Sequence, residues 1–420
     1  MPALAVIVGM TGVVLFVVLS TGYASFQDFG EWVYQGRVLS DLWVGRDAGV
    51  ADFVPYPVPY AIHLVLLAGA IKVCGPVLGP VILLLLFVVF SVLCIRQFIL
   101  ANNLRPVASM IFLSSLIFGS GFWNGYLGAQ LAVVFIILYL SLPERVTTRW
   151  YFFAVFGILM FATHAIGFAA WGLIALWKAL EHSKVLQFLI GVFPSVSLTL
   201  WYALNSRQPG GRSDLYIDGI AQAIAYKGYA VAKLGSYQNL IMRGIGDFEL
   251  SRPIFLLGVV TNLAFAVLIG AALLWSLLKL RILWKTFRGH YLVGGALIFL
   301  SVLLPNFFVG IVNPGERIMV PALVVMSIMW FSKTSGPRWL ALGSSIIVIS
   351  GFFMTLISLT IVPAKMDGRD QFSEVPRGNE NRVSTFFGHR LDQYQLKQEE
   401  SRDDAVDLPL DWSTSIIEKE

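Results

Sequence analysis

Charge is scarce in this chain. Residues ionised at neutral pH make up 13% of its 420 residues, against about 25% in soluble domains, and 57% are hydrophobic. Such a sequence cannot clothe a water-facing globule. Cysteine is nearly absent: Cys74 and Cys94 both stand in apolar surroundings, which excludes a disulfide framework and leaves the redox compartment open. No HExxH, no Cys-x-x-Cys and no His pair at ligand spacing occurs, so no metal constellation is legible. There is no Walker loop and no dinucleotide fingerprint, which weighs against ATP-driven transport and redox chemistry. There is no Gly-x-Ser-x-Gly elbow either. The net charge of +5 sits in short loops and is no sign of nucleic acid.

What the chain has in abundance is apolar runs of about 20 residues, each long enough to cross a hydrocarbon core of about 30 Å. The expected fold is all-α, a polytopic transmembrane helix bundle. Residues 1–20 resemble a signal peptide only loosely, since no basic stretch precedes a long apolar run; a retained first helix is the better reading. Basic residues then sort the connections: Arg96 and Arg105, Arg145 and Arg149, Lys178 and Lys184, the Lys279–Arg288 group, and Lys333 with Arg338. All five fall on one face if about eleven spans lie near 3–20, 77–95, 106–121, 129–142, 151–163, 167–179, 185–204, 254–278, 291–311, 317–332 and 338–361. The positive-inside rule makes that face cytoplasmic. Residues 57–73 are apolar enough to span, yet counting them would put Arg96 and Arg105 outside. A re-entrant or interface-lying helix after Pro55, Pro57 and Pro59 removes the conflict.

The other face collects the 21–59 loop, the Gly121–Gln130 turn, His164, the long 205–253 loop and the Asn313–Arg317 turn. Residues 1–363 thus read as one membrane domain with external loops at 21–59 and 205–253. The polar 364–420 segment reads as a loosely ordered external tail.

Five acids, Asp28, Glu31, Asp41, Asp47 and Asp52, gather in the first external loop. Asp28 and Glu31 share a face if the stretch is helical. A partly desolvated carboxylate at a membrane is tuned toward general-base work; equally, Asp28 caps a short interfacial helix anchored by Trp32 and Tyr34. Tyr56 belongs to the stiff Pro-Tyr-Pro-Val-Pro-Tyr run. Gln130 either meets a sugar hydroxyl or caps its helix. His164, in Thr-His-Ala-Ile-Gly, either binds phosphate or ends a helix. Arg317 is an intramembrane charge, suited to a lipid-linked phosphate or to pairing near Glu316 and lipid headgroups. Lys233 and Arg243 lie among tyrosines in the 205–253 loop, a mixture that suits phosphate and sugar as well as headgroups.

In this order the motifs resemble the GT-C class of membrane glycosyltransferases that use polyprenyl-phosphate sugars. They are Asp28-Phe29 soon after the first span, Gly36, Pro-Tyr-Pro-Val-Pro-Tyr at 55–60, Asn-Gly-Tyr-Leu-Gly-Ala-Gln, Thr-His-Ala-Ile-Gly and Gly-Glu-Arg-Ile-Met-Val-Pro. The layout covers roughly residues 1–330, each motif is loose, and Asp28 and Glu31 are separated where that family often has an adjacent pair. The resemblance implies a GT-C-like bundle and transfer of a hexosyl or pentosyl group with inversion. Asp28 would be the base. Glu31 or Asp47 would place the acceptor, a glycan, glycolipid or protein, and Arg317 with Arg243 or Lys233 would neutralise the leaving phosphate. No cofactor is implied, and a divalent metal stays open. The site would face the periplasm or lumen, with a bacterial inner membrane favoured. A transporter or flippase, a noncatalytic assembly subunit and an O-antigen-ligase-like transferase are the competing readings.

Overall fold

In lipid a backbone must satisfy its hydrogen bonds within its own segment, so apolar runs of this length fold as helices. The computed structural model describes residues 2–21, 29–45, 51–53, 56–205, 220–238, 253–304, 307–308, 311–312, 314–366 and 416–418. Its helices are α1 (Pro2–Thr21), α2 (Phe29–Leu42), α3 (Ala61–Ala101), α4 (Pro106–Ile117), α5 (Ser120–Trp123), α6 (Leu127–Ser141), α7 (Glu144–Thr147) and α8 (Trp150–Thr163). They continue with α9 (Ala165–Glu181), α10 (Val185–Asn205), α11 (Ile220–Lys233), α12 (Pro253–Leu278), α13 (Leu280–Leu303), α14 (Pro314–Trp330) and α15 (Arg338–Met366). Two short antiparallel pairings accompany them: Phe307–Phe308 with Ile311–Val312, and Ala51–Phe53 with Ile416–Glu418. The second ties three residues of the 364–420 segment to the stretch between α2 and α3; residues 367–415 lie outside the described residues.

Among the described residues seven helical segments are long and apolar enough to cross a membrane: α1, α3, α4 continued by α5, α10, α12, α13 and α15. The chain is a multi-pass membrane protein. The four other expected spans are α6, α8, α9 and α14, of 15, 14, 17 and 17 residues. At 1.5 Å per residue they reach only about 21–26 Å, short of a core of about 30 Å.

The connections sort by charge as the sequence predicts. At one end Lys333 N donates to Asn103 O at 3.4 Å, and the Arg105 guanidinium donates to Gly336 O at 2.6 Å and Pro337 O at 2.9 Å. Asn102 Nδ2 reaches Leu140 O at 3.4 Å, His182 Nε2 meets Glu144 Oε2 at 3.3 Å, and the Trp177 ring packs edge-on to His290 at 5.0 Å. These contacts bring all five basic connections to one end. The expected loop at 279–290 is a correction: it is helical from Leu280 and only bends, at Phe287 (φ −124°, ψ 23°). Trp177 lies flat against Gly289 there, where no side chain fits.

The troublesome 57–73 stretch becomes the first part of α3, and Gly75 sets it apart from the span that follows. Gly75 takes φ 82° and ψ 165°, a conformation open essentially to glycine alone. Beyond that corner the chain folds back sharply. A Cβ on Gly79 would lie 2.6 Å from the carbonyl of Ala70, although nine residues of straight helix would separate the two by about 13 Å. Pro76, in the first turn after the break, has no N–H to lose there. α2 packs on this first part, with Gly36 against Leu67 and Ile71.

α14 is the central helix, buried along residues 318–330 and ending in an aromatic cluster of Trp330, Phe331 and Phe112. On the far side of the bundle the segment after α11 is clamped. Asn262 of α12 accepts from Tyr237 N at 3.1 Å and donates to Tyr237 O at 3.0 Å, while Gln238 N donates to Thr355 of α15 at 2.8 Å. Asn262→Leu leaves both backbone groups of Tyr237 buried without that partner, at a cost of about 1–3 kcal/mol each. We expect a clearly lower Tm in detergent for that variant, and an unchanged Tm would sink this account of the clamp.

Candidate functional site

The site forms at the end of the bundle opposite the basic connections, where α14, α8, α9 and α6 all terminate. α14 delivers Arg317 in its first turn, half-buried. The guanidinium lies over the Tyr126 ring, 4.9 Å from its centroid, and NH1 stands 3.3 Å from His164 Nε2. Among the described residues no carboxylate pairs with it. Arg317 therefore faces an aromatic ring rather than an acid.

His164 owes its place to a helix break. α8 ends at Thr163, His164 adopts extended angles (φ −168°, ψ 124°), and its Nδ1 accepts from Gly167 N at 3.2 Å as the cap of α9. The expected pair of short helices meeting at His164 is what forms. The capping bond also has an electronic consequence. A neutral imidazole carries one proton; with Nδ1 accepting, that proton sits on Nε2. Nε2–H then faces Arg317, a group that only donates. Two donors at 3.3 Å with no acceptor between them make a seat for an oxyanion.

Around this seat lie residues to which sequence reasoning assigned no part in a site. Tyr60 packs edge-on to His164 at 4.7 Å, and Trp32 of α2 packs edge-on to His63 at 4.4 Å. His63 is 2% exposed, and neither ring nitrogen has a hydrogen-bond partner among the described residues. It presses on Gly128 of α6, where a Cβ would lie 2.8 Å from Nδ1 and 3.2 Å from Thr163 O. The available signal was position: His63 is one of five histidines and stands three residues after Tyr60, the end of the Pro-Tyr run.

The other candidates fall in different places. Gln130 is buried against Gly121 with Oε1 unpartnered among the described residues; α6 has no side-chain cap, so the capping alternative fails. Tyr56 stands against Tyr202 of α10, ring centroids 6.2 Å apart, and Lys233 lies over Tyr229 at 5.6 Å. Neither touches Arg317 or His164 in the contacts described. Asp28, Asp47 and Arg243 lie outside the described residues; Glu31 falls in the first turn of α2, its side chain outside the description. Asp41, another of the loop's acids, is buried and takes a 3.0 Å ion pair from Arg37 one turn before it.

A cavity of about 240 Å³ opens between α11, α13 and α14, lined on α14 by Gly315, Glu316 and Met319 and not by Arg317. Lys227 closes it, donating to Leu304 O at 2.6 Å and Ser301 O at 3.0 Å, the free carbonyls at the end of α13. Burial lowers the Lys227 pKa, and the nearby Glu316 carboxylate partly restores it. No group of three His, Cys, Asp or Glu side chains that could hold a metal occurs among the described residues. Compared with known proteins, the chain matches no family model, and no curated protein or solved structure is significantly similar to it.

Proposed function

We propose that this chain is a GT-C-like membrane glycosyltransferase. It moves a sugar from a polyprenyl-phosphate donor to an acceptor hydroxyl at the external face of the bundle. The observation that carries the reading is the oxyanion seat, in which Arg317, over the Tyr126 ring, and His164 Nε2–H stand 3.3 Å apart, both as donors. Paired cationic and neutral donors stabilise the charge that builds on a leaving phosphate. In the reaction the acceptor oxygen attacks the anomeric carbon, and the bond from that carbon to the phosphate oxygen breaks. Asp28 takes the acceptor's proton, and polyprenyl phosphate departs with the bonding electrons. The configuration inverts in a single displacement. Asp28 comes one residue before Phe29, the first of α2, and α2 carries Trp32 to His63.

A transporter or flippase for a lipid-linked sugar is the second reading, favoured by the two interrupted segments at Gly75 and His164. A transfer assay in detergent micelles, with a panel of polyprenyl-phosphate sugars and mass detection of product, separates the two. Wild type turns over and Asp28→Asn does not, while the mutant still binds donor. Absence of turnover from every donor, or full activity in Asp28→Asn, removes the assignment, and sugar counterflow in proteoliposomes then tests transport.

A further inference from the structure

His63 has no task in the reaction as written, yet its burial needs a cause. A buried polar group without a partner is costly, and such groups in native structures have an explanation. His63 has two such atoms at 2% exposure. Its surroundings mix aromatic and polar groups. On one side stands the edge-on Trp32 indole at 4.4 Å, and one turn along α2 the Gln35 Oε1 is also buried and unpartnered among the described residues. On the other side the imidazole fills the space that a side chain on Gly128 would take, and Thr163 O lies beside it, one residue before His164. The imidazole is thus placed between the helix that follows Asp28 and the oxyanion seat.

We infer that His63 binds the sugar that is transferred. A neutral imidazole offers one donor and one acceptor, and a hydroxyl is both, so one hydroxyl or two on neighbouring ring carbons satisfy it. The Trp32 indole beside it suits the apolar face of a sugar ring. This inference rests on the transferase reading and deepens it: Arg317 and His164 take the phosphate, and His63 takes the sugar.

The test compares wild type, His63→Phe and His63→Gln by thermal shift with two probes, polyprenyl phosphate alone and polyprenyl-phosphate sugar. Phenylalanine keeps the packing and removes the buried unpartnered atoms, so His63→Phe raises the ligand-free Tm. It keeps the shift given by polyprenyl phosphate, and its affinity for the sugar-bearing probe falls about tenfold, the loss of one buried hydrogen bond. His63→Gln, able to donate and accept, recovers part of that affinity. The inference is overturned if His63→Phe lowers the ligand-free Tm or binds the sugar-bearing probe as wild type does. It is also overturned, with the phosphate seat left standing, if wild type responds equally to both probes. A wild type that responds to neither removes the transferase reading and the inference with it.

Discussion

Arg317→Ala should abolish measurable transfer and weaken binding of polyprenyl phosphate. Truncating a hydrogen-bonded, partly desolvated charge typically costs 2–5 kcal/mol, about 30-fold to several thousand-fold in affinity. The arginine here is half-buried and has no acid partner among the described residues: the Tyr126 ring lies 4.9 Å away and His164 faces its NH1. Lysine keeps the charge but loses the planar fork and the stacking, so Arg317→Lys should fall between the two. Isothermal titration with polyprenyl phosphate, free of sugar, reads this effect apart from catalysis. Binding within twofold of wild type in Arg317→Ala would remove the oxyanion seat from the account.

Gly79→Leu should leave little folded protein in detergent. Overpacking a fitted interior usually costs 1–3 kcal/mol, more where the obstacle cannot turn aside. At Gly79 the obstacle is main chain, the carbonyl of Ala70 and the nitrogen of Ile71 at 2.6 Å from any Cβ. Even Gly79→Ala must open the corner at Gly75. Gly69, with nothing within 4 Å of a Cβ, is the control, and Gly69→Ala should be nearly neutral. Size-exclusion profiles and Tm separate the two; a monodisperse Gly79→Leu with wild-type Tm would refute the sharp corner.

Much of this arrangement was legible in the chain because charge and hydropathy are local signals. The grouping of basic connections at one end needs only the count of apolar stretches between them, and Arg317 stood out as a charge at the mouth of an apolar helix. His164 was legible as a break because Gly167 and the polar Thr163 interrupt an apolar run. His63 was not, because a single histidine inside an apolar stretch gives no periodic signal; its meaning comes from Trp32 and Gly128, which only the folded chain brings to it. The same holds for Tyr126, whose role depends on Arg317 arriving from 191 positions along the sequence. The clamp on Tyr237 was hidden for that reason too: Asn262 reads as one polar residue in a membrane helix until its two bonds are seen. The base assigned to Asp28 rests on sequence alone, since that residue lies outside the described residues.

The four helices that terminate at the oxyanion seat are also the shortest of the expected spans, about 21–26 Å where the bilayer interior measures about 30 Å. If their other ends lie level with the basic connections, their shared end sits below the opposite headgroup plane. A water-borne sugar nucleotide would have to shed its hydration to descend that far, and stripping charge of water is costly. A phosphate tethered to a hydrocarbon chain comes in sideways, its tail never leaving lipid. The brevity of these helices would then act as a filter on the route of entry, choosing among donors by how they travel before any side chain reads what they carry.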